Sequence, residues 1–344
     1  MSAPPGGRTG GFKGGPGTEG FSYFQYYPVK GASAVFAVLW VISGALHVWQ
    51  NNLRYKTHRL GFLLPWAPQI FMVGYIVREV CAHGKYGDLN LFITATVMLF
   101  VAPPLYLAAN SIFLGRLLYY IPWLSPMHPG RVVSTFLGLD FIVEVLTSSG
   151  ASIASNLSNP PDRLQTGSLL IKISLFAQLV LFFSFFVVVA TFHYRVHKAG
   201  IRNNRSLRVM IYMLYASTVL ITIRNIYRLT EYFEGWGSEM GGVEAYFWCL
   251  DAVPTLLNSA MMNVFPPASY LPRSRLTYLA RDCVTERQGP GWVDNRPVWK
   301  TIVDPFNFAS WKQGNEKDKA FWDEDDDTEL AENNNKGGGR KEST

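Results

Sequence analysis

The stretch SLLIKISLFAQLVLFFSFFVVVATF, residues 168–192, carries one charge in 25 residues. That is the length and polarity of a helix that crosses the ~30 Å hydrocarbon layer of a bilayer, a task that takes about 20 apolar residues. Six further apolar stretches lie at about 31–49, 60–80, 91–114, 131–150, 208–231 and 244–265. In lipid a backbone must satisfy its own hydrogen bonds, so each stretch is expected to be helical. Pro65, Pro68, Pro103 and Pro104 interrupt the second and third, where neighbouring helices and water can take up the carbonyls that proline leaves free. The expected fold is all-α: a polytopic, multi-pass membrane protein built as a seven-transmembrane-helix bundle. A soluble helical repeat would show polar faces along its helices, and these stretches mostly do not. Composition agrees, since 16% of the residues are charged against roughly 25% in soluble proteins.

Basic residues in the short loops set the orientation. Arg54, Lys56 and Arg59 follow the first stretch, Arg116 and Arg131 flank the loop after the third, and Arg195, Lys198, Arg202, Arg205 and Arg208 follow the fifth. The three alternate loops hold only Lys85 and Arg163. The side with ten basic residues is expected to be cytoplasmic, which puts the N-terminus outside and the C-terminus inside. Arg273, Arg275, Arg281 and Arg287 after the last stretch agree; Arg8, Lys13 and Lys30 dissent weakly. Because the net charge of +6 is concentrated beside the spans, no nucleic-acid partner is expected.

The chain divides by composition into a Gly/Pro-rich, disordered extracellular tail at 1–30, the seven-helix domain at 31–266, and a cytoplasmic tail at 267–344. The first thirty residues lack an apolar core, so the first span is expected to act as the targeting signal. The C-terminal tail scatters Trp292, Trp299, Trp311 and Trp322 before an acidic run, Asp323 to Asp327. Such blocks are usually solvated and disordered; its aromatic part is a possible docking segment for a cytoplasmic partner. Cys81, Cys249 and Cys283 lie far apart, so neither a disulfide framework nor a thiolate site is implied. Of the two glycosylation sequons, Asn156 falls in an expected outer loop and Asn204 in an inner one.

Charges inside the spans are expensive, and therefore mark function by default. Asp140 and Glu144 stand four apart on the fourth span, Arg224 and Arg228 four apart on the sixth with Glu231 three further on, and Glu244 and Asp251 seven apart on the seventh. Those spacings place each set on one helix face. At 1.5 Å per residue, Arg224 and Asp251 both lie about 10 Å below the outer ends of their helices, and Glu144 falls near that level. The expectation is an ionic cluster of Arg224, Arg228, Glu144 and Asp251 in the outer half of the bundle, with Asp140 deeper. Its alternative is a purely structural clamp between helices, which for Arg228 with Glu231 carries equal weight. Arg78 and Glu79 are placed at headgroup level, Lys172 is expected to reach outward, and His47 reads as a hydrogen-bonded interface residue.

Several chemistries drop out. Of six histidines only His47 lies within a span, so a membrane zinc hydrolase lacks its ligands. The seventh stretch has no lysine for a retinal Schiff base, no phosphate-binding GxxxxGK[ST] loop is present, and no nucleophile has a paired base. Neither a metal nor a cofactor is expected, and the chain does not read as an enzyme.

At the sixth span the residues resemble a known family. IRNIYRLTEYFEGWG, then Glu244, Asp251 and Pro254 in EAYFWCLDAVP, is similar to the signature of the fungal lipid-translocating exporters, the resistance-to-aminocholesterol type. Tyr27 with Pro28, GYIVR (Gly74 to Arg78), APPLYLAANSIFLGR (Ala102 to Arg116), Asp140, Gly150, Gly167 and Gln178 support the likeness in order, over about residues 25–270. The chain departs from the family pattern at LTSSG in span four, at Phe71, and at Phe265 before Pro266. The resemblance implies a plasma-membrane protein that transports or exports amphiphilic lipids, such as sphingoid long-chain bases or toxic sterol-like amines, and so confers resistance. Asp140, Glu144, Arg224, Arg228, Glu231, Glu244 and Asp251 are the candidate substrate-binding residues. The alternative is a non-transporting, receptor-like sensor of lipid or membrane stress, although no Asp-Arg-Tyr ends span three and no Asn-Pro-x-x-Tyr occurs in span seven.

Overall fold

The computed structural model describes residues 12–13, 21–24, 26–56, 62–156, 159–201, 204–235, 238–272, 274–291 and 300. The acidic run Asp323 to Asp327, the four tail tryptophans, and Arg8, Arg59, Arg202 and Arg273 lie outside them.

Each of the seven apolar stretches is helical where described. Helix α1 (Ala32–Val48) runs into a π-helical turn, Trp49–Arg54. It is followed by α2 (Trp66–Ala82), α3 (Leu89–Val101) and α4 (Pro104–Tyr120). Then come α5 (Pro129–Ser155), α6 (Pro161–Lys198) and α7 (Arg205–Glu234). Two short pieces, α8 (Glu239–Gly242) and α9 (Glu244–Phe247), lead through a π-helical turn at Trp248–Ala252 into α10 (Val253–Val264) and α11 (Pro267–Tyr270).

Among the described residues five helices are long and apolar enough to cross a membrane: Ala32–Arg54, Leu89–Tyr120, Pro129–Ser155, Pro161–Lys198 and Arg205–Glu234. The architecture is that of a polytopic membrane protein. Its outward faces carry Val35, Ile42, Phe141, Phe176 and Phe183, all exposed, whereas buried positions hold much of the polarity. A water-soluble bundle would distribute these the other way round.

The prolines shape two spans. Pro103 has no N–H to give to the carbonyl of Leu99 four residues back, and α3 stops two residues before it while α4 begins one residue after. Pro254 follows the π-helical turn in the last segment, where the wider winding sits beside a missing donor. Helices α5 and α6 pack against each other along their length. A Cβ on Gly150 would stand 2.9 Å from the Gly167 carbonyl oxygen, and one on Gly167 would stand 2.7 Å from the Ala154 nitrogen, so the two backbones touch at this crossing. Trp40 of α1 stacks on Phe71 of α2 at 4.2 Å between ring centroids, and Phe36 stacks on Trp248 at 4.7 Å, which joins α1 and α2 to the last segment.

Strands occur only as short pairs among the described residues: β1 (Phe12–Lys13) with β2 (Phe21–Ser22), and β3 (Thr277–Leu279) with β4 (Glu286–Gln288). The second pair is a feature that composition alone did not suggest for the C-terminal tail. It folds back on the end of α4, where Trp123 Nε1 donates to the Leu279 carbonyl at 3.2 Å and Tyr120 donates to Glu286 at 2.8 Å. Asn204, in the other sequon, caps α7 by accepting from the Leu207 N–H at 3.1 Å.

Candidate functional site

Arg224 and Arg228 lie one turn apart on α7, on the face that meets the last segment. Asp251, 3% exposed, sits in the π-helical turn opposite them. Arg224 Nε donates to Asp251 Oδ1 at 2.8 Å, and Arg228 Nη2 donates to Asp251 Oδ2. Arg228 Nη1 donates to Glu231 at 2.9 Å. The remaining fork of Arg224 points to α3, where Nη2 donates to the Leu99 carbonyl at 2.9 Å. That is the carbonyl that Pro103 leaves without a helical donor, so the proline and the arginine answer one another. Phe100 lies 5.5 Å from the Arg224 guanidinium and 5.2 Å from that of Arg228, within cation–π range. Two arginines, Asp251 and Glu231 sum to zero charge.

A second pair stands nearby. Arg78 Nη2 donates to Glu244 at 3.1 Å and to the Tyr26 hydroxyl at 2.8 Å. The other Glu244 oxygen accepts from the Val29 N–H at 2.8 Å. Burial raises the pKa of the Tyr26 phenol, against the opposing pull of Arg78, and it stays protonated. Arg78, expected at headgroup level, is 4% exposed and enclosed within the protein by Phe24, Tyr26, Phe247 and Trp248. The signal for this was present in the chain, since Phe71, Gly74, Tyr75, Arg78 and Ala82 repeat every three or four residues and form the buried face of α2. Glu79 turns to α1 and accepts from the Gly31 and Ala34 N–H groups at 2.8 and 3.2 Å.

The acids of α5 behave differently. Asp140 is 5% exposed, and its Oδ1 has no hydrogen-bond partner. Glu144 accepts from the Ser148 hydroxyl at 2.9 Å through one oxygen, while its buried Oε2 has no partner. Among the described residues neither forms an ion pair with a basic side chain; Glu144, expected within the arginine cluster, lies within electrostatic reach of Arg224 but is not bonded to it. The reason is azimuth rather than depth. Helix α5 packs on α3, α4 and α6, whereas the last segment packs on α7 and α1, and the arginine hydrogen bonds go to Asp251, Glu231 and the Leu99 carbonyl. The seven sequence-selected residues thus fall into three groups: Arg224, Arg228, Glu231 and Asp251 together; Glu244 with Arg78; and Asp140 beside Glu144.

His47 is buried and its Nε2 lies 3.1 Å from the Ser259 hydroxyl, as an interface residue should. Lys172 extends toward Phe233, 5.2 Å from the ring centroid. Among the described residues no three His, Cys, Asp or Glu side chains converge as a metal site.

The family pattern described as RTA1 like protein matches residues 69–274, which run from the first turn of α2 through α11 and include every charged residue of the three groups. This chain belongs to the RTA1-like family. Its RTA1-like relatives include a lipid-translocating exporter-like protein RTA1 of Leptosphaeria maculans, 34% identical over 84% of this chain and 59% of that protein. A protein of the same description from Ajellomyces capsulatus is 31% identical over 69% of this chain and 78% of its own length. Protein RTA1 of Saccharomyces cerevisiae is 27% identical over 70% of this chain and 83% of its own. The chain spans less than two thirds of the Leptosphaeria relative. No solved structure matches it.

Proposed function

We propose that this RTA1-like chain moves amphiphilic lipids with a cationic headgroup across the plasma membrane, with sphingoid long-chain bases and sterol-like amines as the substrate class and resistance to them as the outcome. The observation that carries this reading is the contrast among the buried acids. Asp251 has both oxygens occupied by arginine, whereas Asp140 and Glu144 each keep a buried oxygen without a partner and form no ion pair among the described residues. Two such carboxylates on one helix face suit an incoming ammonium group, since a buried charge is tolerable only when paired. The alkyl part of the substrate meets hydrocarbon at once, because Phe141 and Ile142 on the same helix are exposed on the apolar surface.

In this reading α2, 17 residues long, and the broken α9–α10 segment complete a seven-span bundle with the N-terminus outside. The arginine cluster holds α7, α3 and the last segment in register and does not bind the headgroup. The name lipid-translocating exporter-like, given to the relatives from Leptosphaeria and Ajellomyces, supports the substrate class.

The test is movement of a labelled sphingosine-type amine in proteoliposomes containing only the full chain. Asp140→Asn with Glu144→Gln should slow movement at least about tenfold, the effect of losing charge-assisted hydrogen bonds of roughly 1.5–3 kcal/mol, while the protein still folds. A long-chain alcohol of equal length should not respond to the mutations. Equal movement of the amine by wild type and the double variant would defeat the reading.

A further inference from the structure

Away from the charged groups, α10 carries a second buried polar stripe. Asp251, Thr255, Ser259 and Asn263 recur every four residues, with Asn258 beside Ser259, and all are buried, so they line one face of the segment over about 18 Å at 1.5 Å per residue. On the facing surface, α1 and the π-helical turn that follows it present Ser43, His47 and Gln50, likewise buried and three or four residues apart. Part of the stripe is closed by direct bonds. The Ser43 and Ser259 hydroxyls are 2.6 Å apart, Asn263 Nδ2 donates to Ser43 Oγ at 2.8 Å, and Gln50 Nε2 donates to the Asn263 carbonyl at 2.8 Å. Thr255 donates back to the Asp251 carbonyl at 2.8 Å.

The middle of the stripe is not closed. Asn258 is 0% exposed, and neither its Nδ2 nor its Oδ1 has a partner; Asn263 Oδ1 also lacks one. A fully buried amide left with both donor and acceptor unmet is costly, and native interiors nearly always supply the partner.

The chemistry of the unmet groups selects that partner. A cation would satisfy Asn258 Oδ1 and leave the amide N–H groups bare, and it would bring a charge to a stripe whose one carboxylate, Asp251, is already taken by two arginines. An anion would satisfy the N–H groups and leave the carbonyl. Water donates and accepts at once, and a buried water characteristically bridges otherwise unsatisfied polar groups.

We propose that Asn258 and Asn263 hold internal water molecules, forming a hydrated file along α10 between the Asp251 cluster and the Ser43–His47–Ser259 network.

The full chain in lipid bilayers, with asparagine side-chain amides labelled with nitrogen-15, tests this by magnetisation transfer from water in solid-state NMR. The Asn258 amide resonance is assigned by its disappearance in Asn258→Leu, or in Asn258→Ser should the leucine variant fail to accumulate. Strong transfer from water to that amide, comparable to an exposed asparagine, is the expected result; no transfer overturns the proposal. Thermal unfolding supplies an independent reading. With water present, Asn258→Leu loses bridging bonds and its Tm falls, whereas a dry site would release an orphan amide and the Tm would rise. A Tm of the wild type that climbs with sodium or potassium concentration, and does so less in Asn258→Leu, would replace water by a cation and likewise overturn the proposal.

Discussion

Asp251 and Asp140 are the same residue type, both buried, and both set in helices of an apolar bundle, yet their surroundings are opposite. Around Asp251 one helix, α7, delivers two guanidinium groups, and every carboxylate oxygen is occupied. Around Asp140 the nearest acidic neighbour is Glu144 on its own helix, and an oxygen of each goes without a partner. The saturated acid acts as a joint between helices, and the unsaturated pair is where a positively charged guest has something to gain. Buried ion pairs are poor predictors of stability gain but costly to break, so the two places should respond to mutation in opposite ways.

The largest expected effect on stability is at the joint. Asp251→Asn strands two buried arginines and should cost about 3–5 kcal/mol, read as a large fall in Tm in detergent and loss of protein from the membrane. A variant that folds normally and loses only transport would break the comparison, because it would make the joint a substrate site. Next is Gly150→Val, which forces a side chain into the Gly167 carbonyl and should cost about 1–3 kcal/mol. It sharpens the comparison by displacing α5, so lipid movement should fall along with Tm. At the unsaturated pair, Asp140→Asn should shift stability by less than about 1 kcal/mol, since no partner is abandoned, while transport of a cationic amphiphile falls. A Tm drop as large as that of Asp251→Asn would show a hidden partner. The smallest effect belongs to an exposed, saturated acid, Asp282, which accepts from the Thr285 and Val284 N–H groups at 2.9 and 3.0 Å and from the Thr285 hydroxyl. These bonds lower its pKa below the usual 3.8. The contribution to the turn between β3 and β4 is therefore complete above that value and is lost only as pH falls through the depressed one. Carboxyl chemical shifts on acid titration should show the low midpoint, and Thr285→Ala should move it back up.

The chain discloses depth more readily than direction. Counting residues from the helix ends placed Arg224 and Asp251 at one level, and they meet there. The same count put Glu144 at that level too, yet its helix packs on α3, α4 and α6 rather than on the last segment, and no counting along one helix reveals which neighbour it faces. Arg78 shows the complementary case. Its distance from the helix end gave a depth, at headgroup level, and the three-and-four repeat of Phe71, Gly74, Tyr75 and Ala82 gives the direction, since that face is buried. The proline pair announced a break in the third stretch but not that Arg224 would take the released Leu99 carbonyl. The β3–β4 pair escaped because two strands of three residues each leave too short a pattern amid a polar tail.

The π-helical turn at Trp248–Ala252 holds Asp251 in one more residue of winding than an α-helix would use. Returning that turn to α-helical winding would slide the register by one residue, a rotation of about 100° at 3.6 residues per turn. Since Asp251 is bonded to two arginines that do not turn with it, those bonds hold the wider winding in place. The helix cannot rewind until they are released, and any motion of the last segment against α7 must begin by parting one carboxylate from two guanidinium groups.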